Sequence, residues 1–129
     1  MMVCMKGAKR LLVAEDDVGT RTGLAAFLRE EGYVVDEAAD GEVAWSIVRL
    51  RPPDLLLTDL DMPNIGGSEL IGRLRALYPQ IPIAVLSAAD PIDAGRRCVA
   101  LNADRFFSKP INLDDILSFV AARFPPIAS

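Results

Sequence analysis

Short unbroken apolar runs alternate along this chain with longer stretches whose apolar positions recur every third or fourth residue. The first pattern suits strands buried on both faces of a parallel sheet, the second helices that cover it. Lys9 to Ala14 predicts a first strand, which stops at Glu15-Asp16-Asp17. From Val18 to Glu31, Leu24, Ala25, Phe27 and Leu28 mark the inner side of a helix that Gly32 ends. Tyr33 to Ala38 predicts a second strand, more polar and so nearer an edge. Asp40 is placed to cap a second helix with the stripe Val43, Ala44, Ile47 and Val48, and Arg51-Pro52-Pro53 closes it.

The third strand is the most apolar. Leu55 to Leu57 runs into the acids Asp59 and Asp61 and then into the breakers Pro63, Gly66 and Gly67. Ser68 is expected to cap a third helix with Leu70, Ile71, Leu74 and Leu77 on one face. Ile83 to Leu86 predicts a fourth strand closing on Ser87, and Asp90-Pro91 then opens a helix with Ala94, Cys98 and Leu101 inside. Gly95 and two arginines make that helix the least stable expected. Phe106 to Ser108 predicts a short fifth strand running into Lys109-Pro110, and the last helix uses Leu113, Ile116, Leu117, Val120 and Phe124. Strands and helices in strict alternation predict an α/β fold, a parallel sheet with helices on both faces.

Composition bounds this picture without changing it. At 129 residues the chain suits one domain, expected over residues 9–124, with a tail at 1–8 and a tail or linker start at 125–129. The net charge of −4 argues against direct nucleic-acid binding through phosphates. No apolar run approaches a membrane span and no signal peptide is evident, so a cytoplasmic protein is expected. Cys4 and Cys98 lie far apart and form no metal-ligand pattern, which suits a reducing compartment. The absence of histidine excludes an imidazole base, an imidazole zinc site and a phosphohistidine carrier. Chemistry here must run on carboxylates, lysine and hydroxyls, with or without a metal ion.

Those groups collect at strand ends. Strand one delivers Glu15 and Asp16, strand three Asp59, strand four Ser87 and strand five Lys109. In a parallel sheet these ends share one rim, the place where open α/β sheets bind ligands. Three crowded carboxylates repel one another unless a cation joins them, and a hard oxygen-only site suits Mg²⁺. Metal and lysine together would stabilise the oxygens of a transferring phosphoryl group, and a carboxylate could act as nucleophile to form an aspartyl phosphate.

The motifs Leu-Val-Ala-Glu-Asp-Asp, Thr-Asp-Leu-Asp-Met-Pro, Leu-Ser-Ala and Phe-Ser-Lys-Pro follow one another in order between Lys9 and Phe124. In that order and spacing the chain resembles the receiver domain of two-component response regulators. The resemblance implies a flavodoxin-like (βα)5 three-layer sandwich with strand order 2-1-3-4-5. It implies Asp59 as phosphoacceptor, Glu15 and Asp16 as the acidic pair that holds Mg²⁺, with Asp16 preferred as direct ligand, and the backbone carbonyl of Asp61 as a further ligand. Asp17 is the alternative in the three-acid run, and Arg21, at the family's usual distance, favours the first two. Ser87 matches the phosphoryl-binding hydroxyl, Lys109 the family's lysine, and Phe106 the aromatic that with Ser87 forms the switch.

The implied function is a phosphorylation switch rather than an enzyme. A histidine kinase or histidine phosphotransfer protein would supply the phosphoryl group. The face of the fourth helix, fifth strand and fifth helix would be read by an output partner or a second copy in a homodimer. Arg96 and Arg97 are expected on or beside that face, as solvated charges. Trp45 is expected to pack or make a surface contact. Asn102 stands where a glycine is common and Gly66 where Asp or Asn is frequent. Asp61 and Ala89 occupy positions at which the family tunes dephosphorylation. The Asp-Leu-Asp also resembles the nucleophile motif of haloacid-dehalogenase-type phosphatases, a family that needs a longer chain and no acids after strand one. A binding module without phosphotransfer is the other alternative.

Overall fold

A computed structural model describes residues 7–126. The expected tails at 1–8 and 125–129 lie largely outside the described residues, as does Cys4. The element order is β1 (Arg10–Ala14), α1 (Val18–Glu30), β2 (Val34–Ala38), α2 (Gly41–Leu50), β3 (Leu55–Asp59), α3 (Gly67–Leu77), β4 (Ile83–Ser87), α4 (Pro91–Leu101), β5 (Arg105–Ser108) and α5 (Leu113–Arg123). All strand pairings are parallel, in the order β2-β1-β3-β4-β5 expected from the sequence.

The two-residue period of the strands divides the core between the faces. Leu11, Val13, Leu55, Leu57, Ala84 and Leu86 pack with α1 and α5 through Leu24, Leu28, Ile116, Phe119 and Val120. Leu12, Ala14, Leu56, Ile83 and Val85 pack with α2, α3 and α4 through Ala44, Val48, Leu70, Ile71, Leu74 and Cys98. Burial on both faces is why these strands read as unbroken apolar runs. The edge strand β2 is more polar, and Asp36 and Glu37 pair there with Arg10, Arg21 and Arg29.

Side-chain caps start four helices. Asp17 accepts from the Thr20 amide, Asp40 from Val43, Asp90 from Ile92 and Asp93, and Asn112 from Asp115. Asn102 ends α4 in the left-handed conformation at φ 58°, which explains how it stands where glycine is common.

Several sequence expectations need correction. Ser68 does not cap α3; the N-cap is Gly66, without a side-chain bond. The helix starts early because Gly67 lies against β3, its amide donating to the Leu60 carbonyl at 2.8 Å. Leu77 is exposed rather than internal, because the last inward position of α3 passes to Tyr78, four residues after Leu74. Val43 is also exposed, leaving Ala44 and Val48 as the buried stripe of α2. Strand β5 starts one residue earlier than expected, at Arg105, and β2 one later, at Val34.

Gly67 supports a prediction. A Cβ there would stand 1.9 Å from the Asp59 carbonyl oxygen, whereas one at Gly72, on the same helix, meets nothing within 4 Å. In urea unfolding, Gly67→Ala is expected to cost more than about 2 kcal/mol, because backbone must shift. Gly72→Ala is expected to add about 0.5 to 1 kcal/mol through helix propensity and reduced unfolded-state entropy.

Candidate functional site

The chain leaves β1 toward β2 on one side and returns to β3 on the other, so the strand order reverses between β1 and β3. A crevice opens at the carboxyl ends of strands at such a reversal. Ala14 pairs with Thr58 across it, which brings Glu15 and Asp59 to the same seam. Leu86 lies beside Asp59, and Ser87 beside Ser108, so β4 and β5 deliver Ser87 and Lys109 to the same rim.

Glu15 is fully buried, Asp59 is 8% exposed and Asp16 faces solvent. Each offers a carboxylate oxygen, and the three lie within 4.8 Å of one another. Asp17, the sequence alternative, turns away: its carboxylate accepts from the Thr20 amide at 2.9 Å and hydroxyl at 2.6 Å. Those bonds hold its pKa below the usual value. Arg21 donates to the Glu15 carbonyl at 2.9 Å and thereby braces the turn that carries the acids.

Lys109 donates to Asp59 Oδ2 at 3.1 Å, and its Nζ stands 2.6 Å from Glu15 Oε1. That second approach is a close charged contact between a partly exposed ammonium and a fully buried carboxylate. Burial pushes the Glu15 carboxyl above its ordinary value, against the opposing pull of Lys109 and the Asp17 amide. Burial alone would depress Lys109, but its contacts with Glu15 and Asp59 win, and its pKa is raised.

The flanks are equally defined. The Asp61 amide donates to Asp59 Oδ1 at 3.3 Å, while the Asp61 side chain is exposed and pairs with Arg97 Nη2 at 3.4 Å. Arg97 is thus a rim residue and not the solvated charge expected. Nothing in the sequence signals this, since 36 residues separate the partners. Ser87 is buried, and its Oγ accepts from the Ala89 amide at 3.0 Å, leaving its own proton free to donate. The half-buried Phe106 packs with the α2–α4 core, and its ring edge lies 3.7 Å from where a Cβ on Gly95 would stand. Trp45 is half-buried on α2 with the Arg73 guanidinium 5.4 Å from its ring centre.

Comparison with known proteins agrees with this geometry. The model of the response regulator receiver domain matches residues 11–121. The response regulator GtcR of Aneurinibacillus migulanus is 39% identical over 105 residues, covering 81% of this chain and 43% of that protein. The sporulation initiation phosphotransferase F of Bacillus subtilis is 30% identical over 117 residues, covering 91% of this chain and 94% of that one. Among solved structures, the chemotaxis response regulator CheY4 of Vibrio cholerae superposes with a TM-score of 0.82 at 25% identity, over 89% of this chain and 98% of that one. The chain spans less than half the length of GtcR and nearly all of the Bacillus relative. With the family model matching most of its length and the acids, hydroxyl and lysine gathered on one rim, the chain belongs to the response regulator receiver domain family.

Proposed function

We propose that this receiver accepts a phosphoryl group on Asp59 from the phosphohistidine of a histidine kinase or phosphotransfer protein. An Asp59 carboxylate oxygen attacks phosphorus, the phosphorus–nitrogen bond to the donor breaks, and the imidazole leaves with the electron pair. The observation that carries this reading is the Asp59 carboxylate held by Lys109 at 3.1 Å beside two further acids, at the mouth of the sheet. The name of the Bacillus phosphotransferase, a relative matched over nearly its whole length, supports it.

The residues fit a divalent cation. The donors are all oxygen, and three carboxylates within 4.8 Å of one another face the single ammonium of Lys109, which leaves negative charge for a cation to balance. Asp16, Glu15 and Asp59, with the Asp61 backbone carbonyl, would hold Mg²⁺, which supplies positive charge beside the transferring oxygens. Lys109 balances charge on the other side and can follow the phosphoryl oxygens once Asp59 carries the group as an acyl phosphate. Ser87, with its proton free, can donate to a phosphoryl oxygen. The reaction alters the protein itself, so the chain acts as a switch and not as an enzyme with a released product.

A cleft of about 310 Å³, lined by Gly19, Thr20, Leu24, Lys109, Pro110 and Ile111, shares Lys109 with the Asp59 contact. It offers the donor protein a seat. On the other flank, Ile92 and Val99 of α4 are exposed, at 68% and 83%, and suit an output partner or a second copy.

Incubation with a small acyl phosphate and Mg²⁺ should add one base-labile phosphoryl group to the wild type and none to Asp59→Asn, read by intact mass. Equal labelling of both proteins would move the acceptor elsewhere; chelation of the metal should abolish labelling of the wild type.

Lys109→Met tests the charge balance. Without metal at pH 7 it leaves Glu15 and Asp59 unneutralised, a loss of about 2 kcal/mol after allowance for the partial exposure of the lysine. Added Mg²⁺ should recover part of that loss in thermal unfolding. The raised pKa fixes the sign with pH. The contribution of Lys109 is complete below its unfolded value of 10.5 and is lost as pH rises through the higher folded value. The gap between wild type and Lys109→Met should therefore close in strong alkali.

A further inference from the structure

We infer that Arg97 is a positioning residue that couples the phosphoryl state of Asp59 to α4, by exchanging its partner Asp61 for the phosphoryl oxygens. The inference rests on the proposed phosphorylation of Asp59 and concerns how that event reaches the output face.

Arg97 has a partner available on its own helix. Asp93 precedes it by one turn, an acid-before-base spacing that favours pairing. The structure instead sends the guanidinium across to Asp61 Oδ1 at 3.4 Å. Asp61 is in turn tied to the acceptor, its amide donating to Asp59 Oδ1 at 3.3 Å. One residue thus touches Asp59 through its backbone and α4 through its side chain. Among the described residues this is the one ion pair between α4 and the acidic rim.

The aromatic route to α4 is less direct here. Phe106 has no hydroxyl, and its ring already packs against α4 near Gly95. Ala89 carries no side-chain group that could compete for Arg97.

The energetics favour exchange. Arg97 and Asp61 are 32% and 78% exposed, and such a solvent-screened pair is weak. A phosphoryl group two residues away adds charge and three strong acceptor oxygens, which a guanidinium can grip through two parallel bonds. Transfer of Arg97 to those oxygens draws α4 toward the rim. Gly95 leaves space above the Phe106 ring, where a Cβ would make only ordinary contact.

The test uses the whole chain, phosphorylated with acetyl phosphate and Mg²⁺. Intact mass measures the phosphoryl gain, and the amide resonances of Ala94, Gly95 and Cys98 report α4. Wild type, Arg97→Gln, Arg97→Lys and Asp61→Asn are compared at equal phosphorylation. In Arg97→Gln the phosphorylation-dependent shifts of α4 should fall by about half or more, with partial recovery in Arg97→Lys, since lysine keeps the charge but not the fork. In Asp61→Asn, which releases Arg97 but offers it no phosphoryl oxygens, the α4 resonances should not take up the phosphorylated positions until the phosphoryl group is added, and the shift on phosphorylation should be retained. Full phosphorylation of Arg97→Gln with undiminished α4 shifts overturns the inference while leaving the acceptor reading intact. No phosphoryl gain on wild type removes that reading, and the inference with it.

Discussion

Two buried carboxylates facing one another across the β1–β3 seam set the terms for the rest of the molecule. Glu15 and Asp59 have almost no contact with bulk water, and each would be costly as an isolated buried charge. Lys109 neutralises part of that charge from β5, two strands away from β3. Its position depends on β4 and β5 being in register, because its amide is fixed to the Ser87 carbonyl at 2.8 Å. The sheet is therefore part of the site. A slip of one residue between β4 and β5 would withdraw the lysine and turn Phe107 out of the core.

The loop after β3 is held as tightly from its other end. Gly67 presses on the Asp59 carbonyl, and Gly41 on the backbone of Ile65, where a Cβ would stand only 1.8 Å from the carbonyl oxygen. These close approaches fasten the Asp59–Gly67 segment to both α2 and β3. Thr58, itself buried, donates to the Asp59 carbonyl at 2.8 Å. Held backbone on both sides leaves the Asp59 carboxylate and the exposed Asp61 side chain as the adjustable parts.

What the sequence discloses follows from which forces are local. Buried central strands show as apolar runs, and the acids at their ends lie next to breakers, so β1, β3 and β4 and their site residues are legible. Asp40 and Asp90 are legible as caps because capping spans only a few residues. The start of α3 is not, since it is decided by the contact of Gly67 with Asp59 and not by the nearby Ser68. Leu77 misleads for a related reason: a helical stripe gives the face but not where the helix runs past the sheet. The choice of Glu15 and Asp16 over Asp17 was only half visible. The structure gathers Glu15 and Asp16 with Asp59, while Asp17 spends its carboxylate on Thr20. Arg97 was invisible, because pairing with Asp61 is a fact of tertiary proximity alone.

The contacts at this rim divide by strength in a way that suits a switch. Those that position the acceptor are buried: the Lys109 bridges, the Thr58 bond and the packed glycines. Breaking a buried contact costs more than breaking an exposed one, so under the proposed reaction the Thr58 bond and the packed glycines keep the Asp59 backbone in place. Those that lead outward are exposed and individually weak, as the Arg97–Asp61 pair is. A weak contact can be exchanged for a better one without unfolding anything, which a strong one cannot. Under the proposed phosphorylation, the added dianion would accordingly rearrange its exposed flank before its buried one. Since α4 lies on that flank, it is the element this chain can move most cheaply.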